Sequence, residues 1–483
     1  MRYRYPVLFR KDHRLCNPLV NYSTIQADMI AALQALRDYY DTGTTKAYAF
    51  RIAQLKKLKH SIQQHEQEIY TALYTDLKKS PEEVWVTENG LVLAEINHAI
   101  KNLQHWMEPE RSATNLVNFP SSSFIMKEPL GVVLIIAPWN YPLHLLLNPL
   151  IGAIAAGNCA VLKASEYAPA TAAVLKKIIE AVFPPGYILF TEGDGAMVVN
   201  DLMHHFRFDH IFFTGSTAVG KIIYQKAAEK LVPVTLELGG KSPAIVEADA
   251  AVTVAAKRIA IAKFSNAGQI CVAPDYVLVH HTQKTALIQA LKKSIAAFFT
   301  DNPHACYNYG RMINAKHFKR VLQYLQEGNV LHGGRYDEAD LYIEPTIIDN
   351  VTMNSAVMKE EIFGPVLPII SYTTIQEAKA VIAQNNNPLA LYIFSDSAKK
   401  EKQWLEDVSF GGGCINNAAW HLTNYHLPFG GRGFSGMGQY HGRASFDIFT
   451  HKKSIQKTPV WFDPAIKYPP FKGKLKWFKW IIR

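Results

Sequence analysis

From about residue 29 to residue 107, apolar side chains recur at helical steps. Ile52, Leu55, Leu58, Ile62, Ile69 and Leu73 fall three, four or seven positions apart, and Leu93, Ile96, Ile100, Leu103 and Met107 repeat the pattern. That period predicts amphipathic helices laid over another layer, and no chemistry is assigned to them. Residues 1–28 lack the pattern and are expected to form an N-terminal arm. Residues 108–130, with Pro109, Pro120 and the run Ser121-Ser122-Ser123, are expected to be irregular.

Beyond residue 130 short, continuously apolar runs alternate with helical ones. Strands are predicted at Val132–Ala137, Cys159–Leu162, Tyr187–Phe190, His210–Phe213 and Val234–Leu238. Helices are predicted between them at Leu145–Ala156, Thr171–Val182, Ala196–His205 and Val219–Lys230. Strands apolar on both faces and separated by helices imply a parallel sheet covered on both sides, of the size that binds a dinucleotide. After Gly239 the alternation restarts. A helix over Ala250–Phe264 leads to a strand at Tyr276–His280 and to helices near Thr285–Phe299 and Ala315–Gln326. Further strands follow at Tyr342–Ile348, Val366–Tyr372, Ala390–Phe394 and Gly413–Asn416. The fold class is therefore α/β, with two doubly wound domains meeting near residue 239.

Composition changes this picture little. The 483 residues are 48% apolar and 19% charged, enough for about two or three packed domains. Pro129–Leu162 contains no Asp, Glu, Lys or Arg, but prolines and asparagines interrupt it. It reads as a buried strand, a turn and a buried helix rather than a membrane span. The net charge of +10 lies wholly at the ends. Arg2, Arg4, Arg10, Lys11 and Arg14 face only Asp12, and residues 464–483 hold Lys467, Lys472, Lys474, Lys476, Lys479 and Arg483 with no acid. The body between is neutral and gives no reason to expect nucleic acid as a partner. The five cysteines are widely spaced, with no metal-ligand pairing. No metal is expected, and a reduced, cytoplasmic protein fits, with no signal peptide.

Cys271 stands among small and polar neighbours in Asn266-Ala267-Gly268-Gln269-Ile270-Cys271-Val272-Ala273-Pro274. It is either a nucleophile or an inert buried thiol. Glu237 stands inside the apolar strand Val234–Leu238, where a carboxylate is costly unless it acts or is paired, for example with Lys241. Asn140, in Pro138-Trp139-Asn140-Tyr141-Pro142, follows the first strand of the sheet. It is either an oxyanion donor or a residue of a proline turn. The fingerprint Gly431-Arg432-Gly433-Phe434-Ser435-Gly436 follows no buried strand and is rejected as a phosphate loop. Gly215-Ser216-Thr217-Ala218-Val219-Gly220 leaves a strand and opens a helix, where N–H groups attract phosphate; a plain capped glycine turn is the alternative. Lys163 and Glu166 end the second strand, where they could hold ribose hydroxyls or simply pair with each other. Glu166 would repel a 2′-phosphate, which favours NAD over NADP without deciding between them.

Taken in order, these segments resemble the NAD(P)-dependent aldehyde dehydrogenases, and most closely the class 3 branch that acts on fatty and aromatic aldehydes. The resemblance spans about residues 29–470. It rests on Trp139-Asn140-Tyr141-Pro142, Thr214-Gly215-Ser216-Thr217, Leu236-Glu237-Leu238-Gly239-Gly240-Lys241, Gly268-Gln269-Ile270-Cys271, Glu361-Ile362-Phe363-Gly364-Pro365 and Leu427-Pro428-Phe429-Gly430-Gly431, among others. Ala164 departs from the proline common there. The likeness implies oxidation of an aldehyde through a thiohemiacetal and a thioester, with Cys271 as nucleophile, Asn140 as oxyanion donor and Glu237 as general base. It also implies that Leu238 lies on the cofactor side, that Glu361 and Phe363 meet the nicotinamide-side ribose and ring, and that a bridging element pairs two subunits. The expected division is a cofactor domain (29–111 and 131–238), a catalytic domain (239–421), a bridging element (112–130 and 422–455) and a basic aromatic tail (456–483). Tyr141 and His421 are expected beside the substrate. A coenzyme A-acylating relative, and a silent binding protein on the same fold, are the rivals; Glu237 speaks against the first and the complete reaction set against the second.

Wound as a helix, residues 471–483 would place Lys472, Lys476, Lys479 and Arg483 on one stripe. Leu475, Phe478, Ile481 and Ile482 would lie opposite, with Trp477 and Trp480 between. Such a tail suits peripheral membrane contact, or else it is solvated or packed on a partner subunit.

Overall fold

The computed structural model describes the backbone from Pro18 to Ile482 and the side chains from Asp28 onward. The basic cluster before residue 15, Cys16 and Arg483 lie outside the described residues. The helix Pro18–Asp41 shows that the expected N-terminal arm is helical over its described part. Helices Tyr48–Gln64, Glu66–Leu77 and Gly90–Met107 follow; of their periodic apolar residues, Leu55, Leu58, Ile62, Ile69, Leu73, Ile96 and Leu103 are fully buried, and Ile52, Ile100 and Met107 partly so.

The first sheet has six strands. In space they run Gly436–Met437, Val234–Leu238, His210–Gly215, Val132–Ile136, Cys159–Lys163 and Ile188–Thr191. All pair in parallel except Gly436–Met437, which closes the edge antiparallel to Val234–Leu238. The chain winds outward from Val132–Ile136 in one direction, then returns to His210–Gly215 on its other side. Ligands in such sheets bind beyond the carboxyl ends of the strands at this reversal. The turn bearing Asn140, the Gly215 turn and Glu237 all lie at that end. The charge-free segment is the central strand Val132–Ile136 and the helix Pro142–Ala156, every residue of which is buried. Among the described residues no helix is long and apolar enough to cross a membrane.

The second sheet orders its seven strands Asn329–His332, Thr346–Asp349, Val366–Tyr372, Tyr276–His280, Pro243–Val246, Ala390–Phe394 and Gly412–Ile415. Pro243–Val246 escaped the reading of the chain because it is short and opens on proline. The run expected at Tyr342–Ile348 is two strands, Tyr342–Ile343 and Thr346–Asp349. Pro345 between them has no N–H to give a ladder.

Residues 108–130 are not irregular throughout. Ser122–Pro129 pairs along its whole length with Thr450–Lys457, and Glu110–Ser112 adds a third antiparallel strand. Thr450–Lys457 is polar and mostly exposed, and in Ser122–Pro129 the apolar residues Phe124, Ile125 and Met126 are consecutive, so neither strand shows the apolar alternation that marks a half-buried strand. The rejected glycine fingerprint is also structural. Gly436 pairs with Glu237, and a Cβ on it would sit 2.4 Å from the Leu236 carbonyl oxygen. The Leu238 N–H donates to the Ser435 carbonyl at 3.1 Å.

Asn158 ties these layers together. Its Oδ1 accepts from Gly131 N–H at 2.9 Å, and its Nδ2 donates to the Phe449 carbonyl at 2.9 Å. Asn158→Ala is expected to leave the Gly131 N–H buried without a partner, while the Phe449 carbonyl keeps only the Leu130 N–H at 3.3 Å. At about 1–3 kcal/mol for an orphaned group, the loss should lower the thermal unfolding midpoint; an unchanged midpoint would show that water replaces the amide.

Candidate active site

The helix Val252–Phe264 ends in a tight reversal. Asn266 and Ala267 both have φ of 49° and Gly268 follows at 75°. Successive left-handed residues are strained for any side chain, and they persist only where the surroundings hold them. Here the Asn266 N–H donates to Glu83 Oε1 at 2.8 Å. Gln269 donates to the Asn266 and Arg311 carbonyls at 3.0 and 2.9 Å and accepts from Ile313 N–H at 3.0 Å. A Cβ on Gly268 would lie 2.3 Å from the Gly364 oxygen, so this position requires glycine. The reversal delivers Cys271, partly exposed, to the meeting point of two cavities.

One cavity, of about 580 Å³, is lined by Tyr141, Ile270, Val272, Phe298, Trp420 and Leu422, among others. It is an apolar funnel. The other, of about 670 Å³, is lined by Asn140, Thr214, Gly215, Ser216, Glu237 and Leu238, with Glu361 and Phe363 on the facing wall. Leu145, Cys271, Phe429 and Tyr440 line both.

Glu237 is 3% exposed, and neither carboxylate oxygen has a hydrogen-bond partner. Burial pushes its pKa well above the carboxylate range. Lys241 does not pair with it: Lys241 bonds Asp275 and the Val357 and Glu360 carbonyls. Asn140 donates one amide N–H to the Gln269 carbonyl at 3.0 Å, which leaves its second N–H available. Burial, then the neighbouring Glu361 and Glu237, push the Cys271 thiol up to about 12. Burial and Asp275 push Glu361 up to about 8, although the Gly240 N–H and Lys241 oppose the shift. The Glu361 carboxyl lies against Gly239, where a Cβ would come within 1.8 Å of Oε2.

The remaining residues singled out from the sequence divide. Ser216 caps the helix Thr217–Glu229 through Val219 N–H at 3.4 Å, and with Gly215 it faces the polar cavity. Gly220 does not line it; a Cβ there would meet Leu238 Cδ2 at 2.5 Å, so the glycine lets the helix close on the strand. Lys163 and Glu166 also lie outside the cavity wall. They pair at 3.1 Å, and Glu166 accepts from Gly195 N–H at 3.0 Å. Phe363, at φ 46°, packs edge-on against Trp139 at 5.3 Å. Tyr141 lines the funnel, but His421 does not. Its ring stacks behind Phe429 at 5.9 Å, with Cys414 Sγ 3.6 Å from Nδ1, so the expectation that it lines the substrate pocket is corrected. Phe429 and Tyr440 had no local signal of a site role, although Phe429 stands in the glycine-rich segment Leu427–Gly431. Reading the chain also missed Arg320, which bonds the Glu361 and Ile362 carbonyls at 3.2 and 2.8 Å.

The family model for the aldehyde dehydrogenase family matches residues 19–455. The chain is 48% identical to 4,4'-diaponeurosporen-aldehyde dehydrogenase of Staphylococcus aureus, covering 91% of this chain and 96% of that protein. It is 44% identical to aldehyde dehydrogenase family 3 member B1 of Rattus norvegicus, covering 92% and 94%. Among solved structures, a substrate-bound state of a Staphylococcus aureus aldehyde dehydrogenase superposes with a TM-score of 0.92 at 47% identity, covering 94% of this chain and 99% of that one. An indole-3-acetaldehyde dehydrogenase complexed with NAD+ gives 0.81 at 28% identity, covering 90% and 89%.

The raised thiol has a measurable consequence. Alkylation of Cys271 by iodoacetamide, followed by peptide mass spectrometry, should accelerate with pH and reach no plateau below about pH 9, because only the thiolate reacts. A plateau near neutrality would mean a preformed thiolate.

Proposed function

The chain belongs to the aldehyde dehydrogenase family, and from that premise we propose that it oxidises apolar aldehydes to carboxylates with NAD(P) as electron acceptor and water as acyl acceptor. One observation carries this reading: a single thiol, Cys271, borders an apolar funnel on one side and, on the other, a polar cavity holding an unpaired carboxyl, Glu237.

The aldehyde enters by the funnel; Cys271 gives up its proton to solvent, the thiolate Sγ bonds to the carbonyl carbon, and the carbonyl π pair moves onto the oxygen. The second amide N–H of Asn140 and the Cys271 backbone N–H stabilise the oxyanion; one such donor is worth about 10²–10³ in rate. The polar cavity fits a dinucleotide. Thr214 Oγ1 and both Glu237 oxygens are orphaned there, and the N–H groups at the start of Thr217–Glu229 suit a phosphate. Leu238, Glu361 and Phe363 would line its reactive end, while Lys163, Glu166 and Gly220 support its far end from behind the wall. When bound, NAD(P) would supply a hydride acceptor: the C–H hydrogen would leave the substrate carbon with its bonding pair, and the oxyanion would re-form the carbonyl as a thioester on Cys271. Glu237, once deprotonated, takes a proton from water, the water oxygen bonds to the acyl carbon, and the carbon–sulfur bond breaks to release the acid. Burial raises both the Cys271 thiol and Glu237, and both work deprotonated, so turnover gains with rising pH.

Two further parts complete the reading. Copies pair through the small sheet, where Leu116 and Phe119 leave apolar surface open at 63% and 64% exposure. The tail rests on an anionic lipid surface. Its helix is confined to Leu475–Ile481, shorter than the sequence pattern suggested, and Leu475, Trp477, Trp480 and Ile482 are each about 60–70% exposed amid lysines. The free thiols of Cys159, Cys271, Cys306 and Cys414 support a reducing, cytoplasmic location for this contact.

Cys271→Ala should abolish aldehyde oxidation. Glu237→Gln should keep a pre-steady-state burst of NADH while steady turnover falls; a folded glutamine variant with neither would remove the assigned role. Across unbranched aldehydes, kcat/KM should rise roughly fourfold per added methylene, from about 0.8 kcal/mol of burial each, until the funnel is filled. No trend with chain length would count against an apolar substrate. Deleting residues 464–483 should abolish pelleting with phosphatidylserine vesicles and leave a dimer mass by light scattering. Equal pelleting would sink the lipid contact, and a monomer mass in the full chain the pairing.

A further inference from the structure

The N-terminal helices were expected only to cover the sheet, yet the segment joining them reaches the reaction centre. Lys79 and Glu88 are fully buried. Lys79 Nζ donates to Glu88 Oε1 at 2.7 Å and to the Asn140 carbonyl at 2.9 Å, and it sits 3.8 Å above the centre of the Tyr141 ring. Glu88 Oε2 accepts from the Leu143 and His144 N–H groups at 2.9 and 3.4 Å, in the first turn of Pro142–Ala156. A negative charge is favoured at that end of a helix. Glu88 is turned inward by a π-helical stretch, Trp85–Asn89, of the kind that recurs at functional sites.

The pair therefore grips the Asn140 turn twice, at the carbonyl of the donor residue and at the helix that begins just after it. Asn266 Nδ2 donates to the same Asn140 carbonyl at 2.9 Å, and the Asn140 amide reaches Gln269, two residues before Cys271. The oxyanion donor and the nucleophile loop thus share one hydrogen-bonded unit with Lys79 at its root. Stability alone does not call for such a pair, since buried ion pairs are often replaced by apolar residues of similar volume at no loss.

We propose that Lys79 and Glu88 are positioning residues that set the Asn140 amide against the substrate oxygen, acting through the backbone of residues 140–144. The inference rests on the role given to Asn140 above. A misplacement of about 1 Å can cost about 10² in rate.

The test is a double-mutant cycle. Lys79→Met leaves the Glu88 carboxylate stranded and could unfold the chain, so the working variant is Lys79→Met with Glu88→Leu, which removes both charges. It should keep the circular dichroism spectrum and the NAD dissociation constant, hold KM, and lower both kcat and the NADH burst rate by about 10². In an Asn140→Ala background the same pair of substitutions should cost little more, because the interaction it serves is already gone. Equal losses in both backgrounds, or a change confined to KM, would overturn the positioning role. A folded Asn140→Ala enzyme with full activity would overturn it too, and would be recognised separately as failure of the oxyanion assignment itself.

Discussion

Three acids, Glu237, Cys271 and Glu361, line one cavity. Desolvation alone lifts Glu237 far above its ordinary range, and at Cys271 and Glu361 the charges of neighbouring acids add to it. Each proton lost there makes the next harder to lose. Burial and mutual repulsion thus oppose charge on all three groups. The surrounding donors fit that constraint. The Gly240 N–H lies on Glu361, the amide of Asn140 keeps one proton free, and Lys241 is taken up by Asp275 instead of quenching Glu237.

Geometry follows from topology. Because the first sheet reverses its winding beside Val132–Ile136, the ends of neighbouring strands splay and leave a crevice. Asn140 follows one of these strands, Gly215 ends another and Glu237 nearly ends a third. The second sheet adds the Cys271 reversal just before its strand Tyr276–His280 and the Glu361–Phe363 turn just before Val366–Tyr372. Lys241, Asp275 and Arg320 fix that turn through its backbone. Strands thus supply rigidity and loops supply chemistry, with buried ion pairs pinning the loops from behind. Lys79 and Glu88 extend the same device to the Asn140 side.

The two cavities explain why a single thiol suffices. The funnel and the polar cavity share only a few residues, Cys271 and Tyr440 among them, so an apolar chain and a charged dinucleotide can approach one sulfur without competing for space.

Much of this was written locally. The alternation of apolar strands and helices, the thiol among small residues, and a carboxylate inside an apolar strand are each readable because near neighbours dictate their cost. The likeness to a known family fixed their order. What a linear reading could not supply were contacts between segments far apart in the chain. Ser122–Pro129 is held as a strand by Thr450–Lys457 on one side and Glu110–Ser112 on the other. His421 sits behind Phe429 rather than in the funnel because a turn at Ala419, φ 64°, redirects the chain. Lys163 is paired with Glu166, and Gly220 lets its helix close on Leu238. Lys79 gave no local sign at all: a lysine beside another lysine at a helix end reads as solvated, and only packing shows it buried beneath Asn140. Sequence determines which groups are expensive to bury; tertiary structure decides which partner, near or distant, each of them is given.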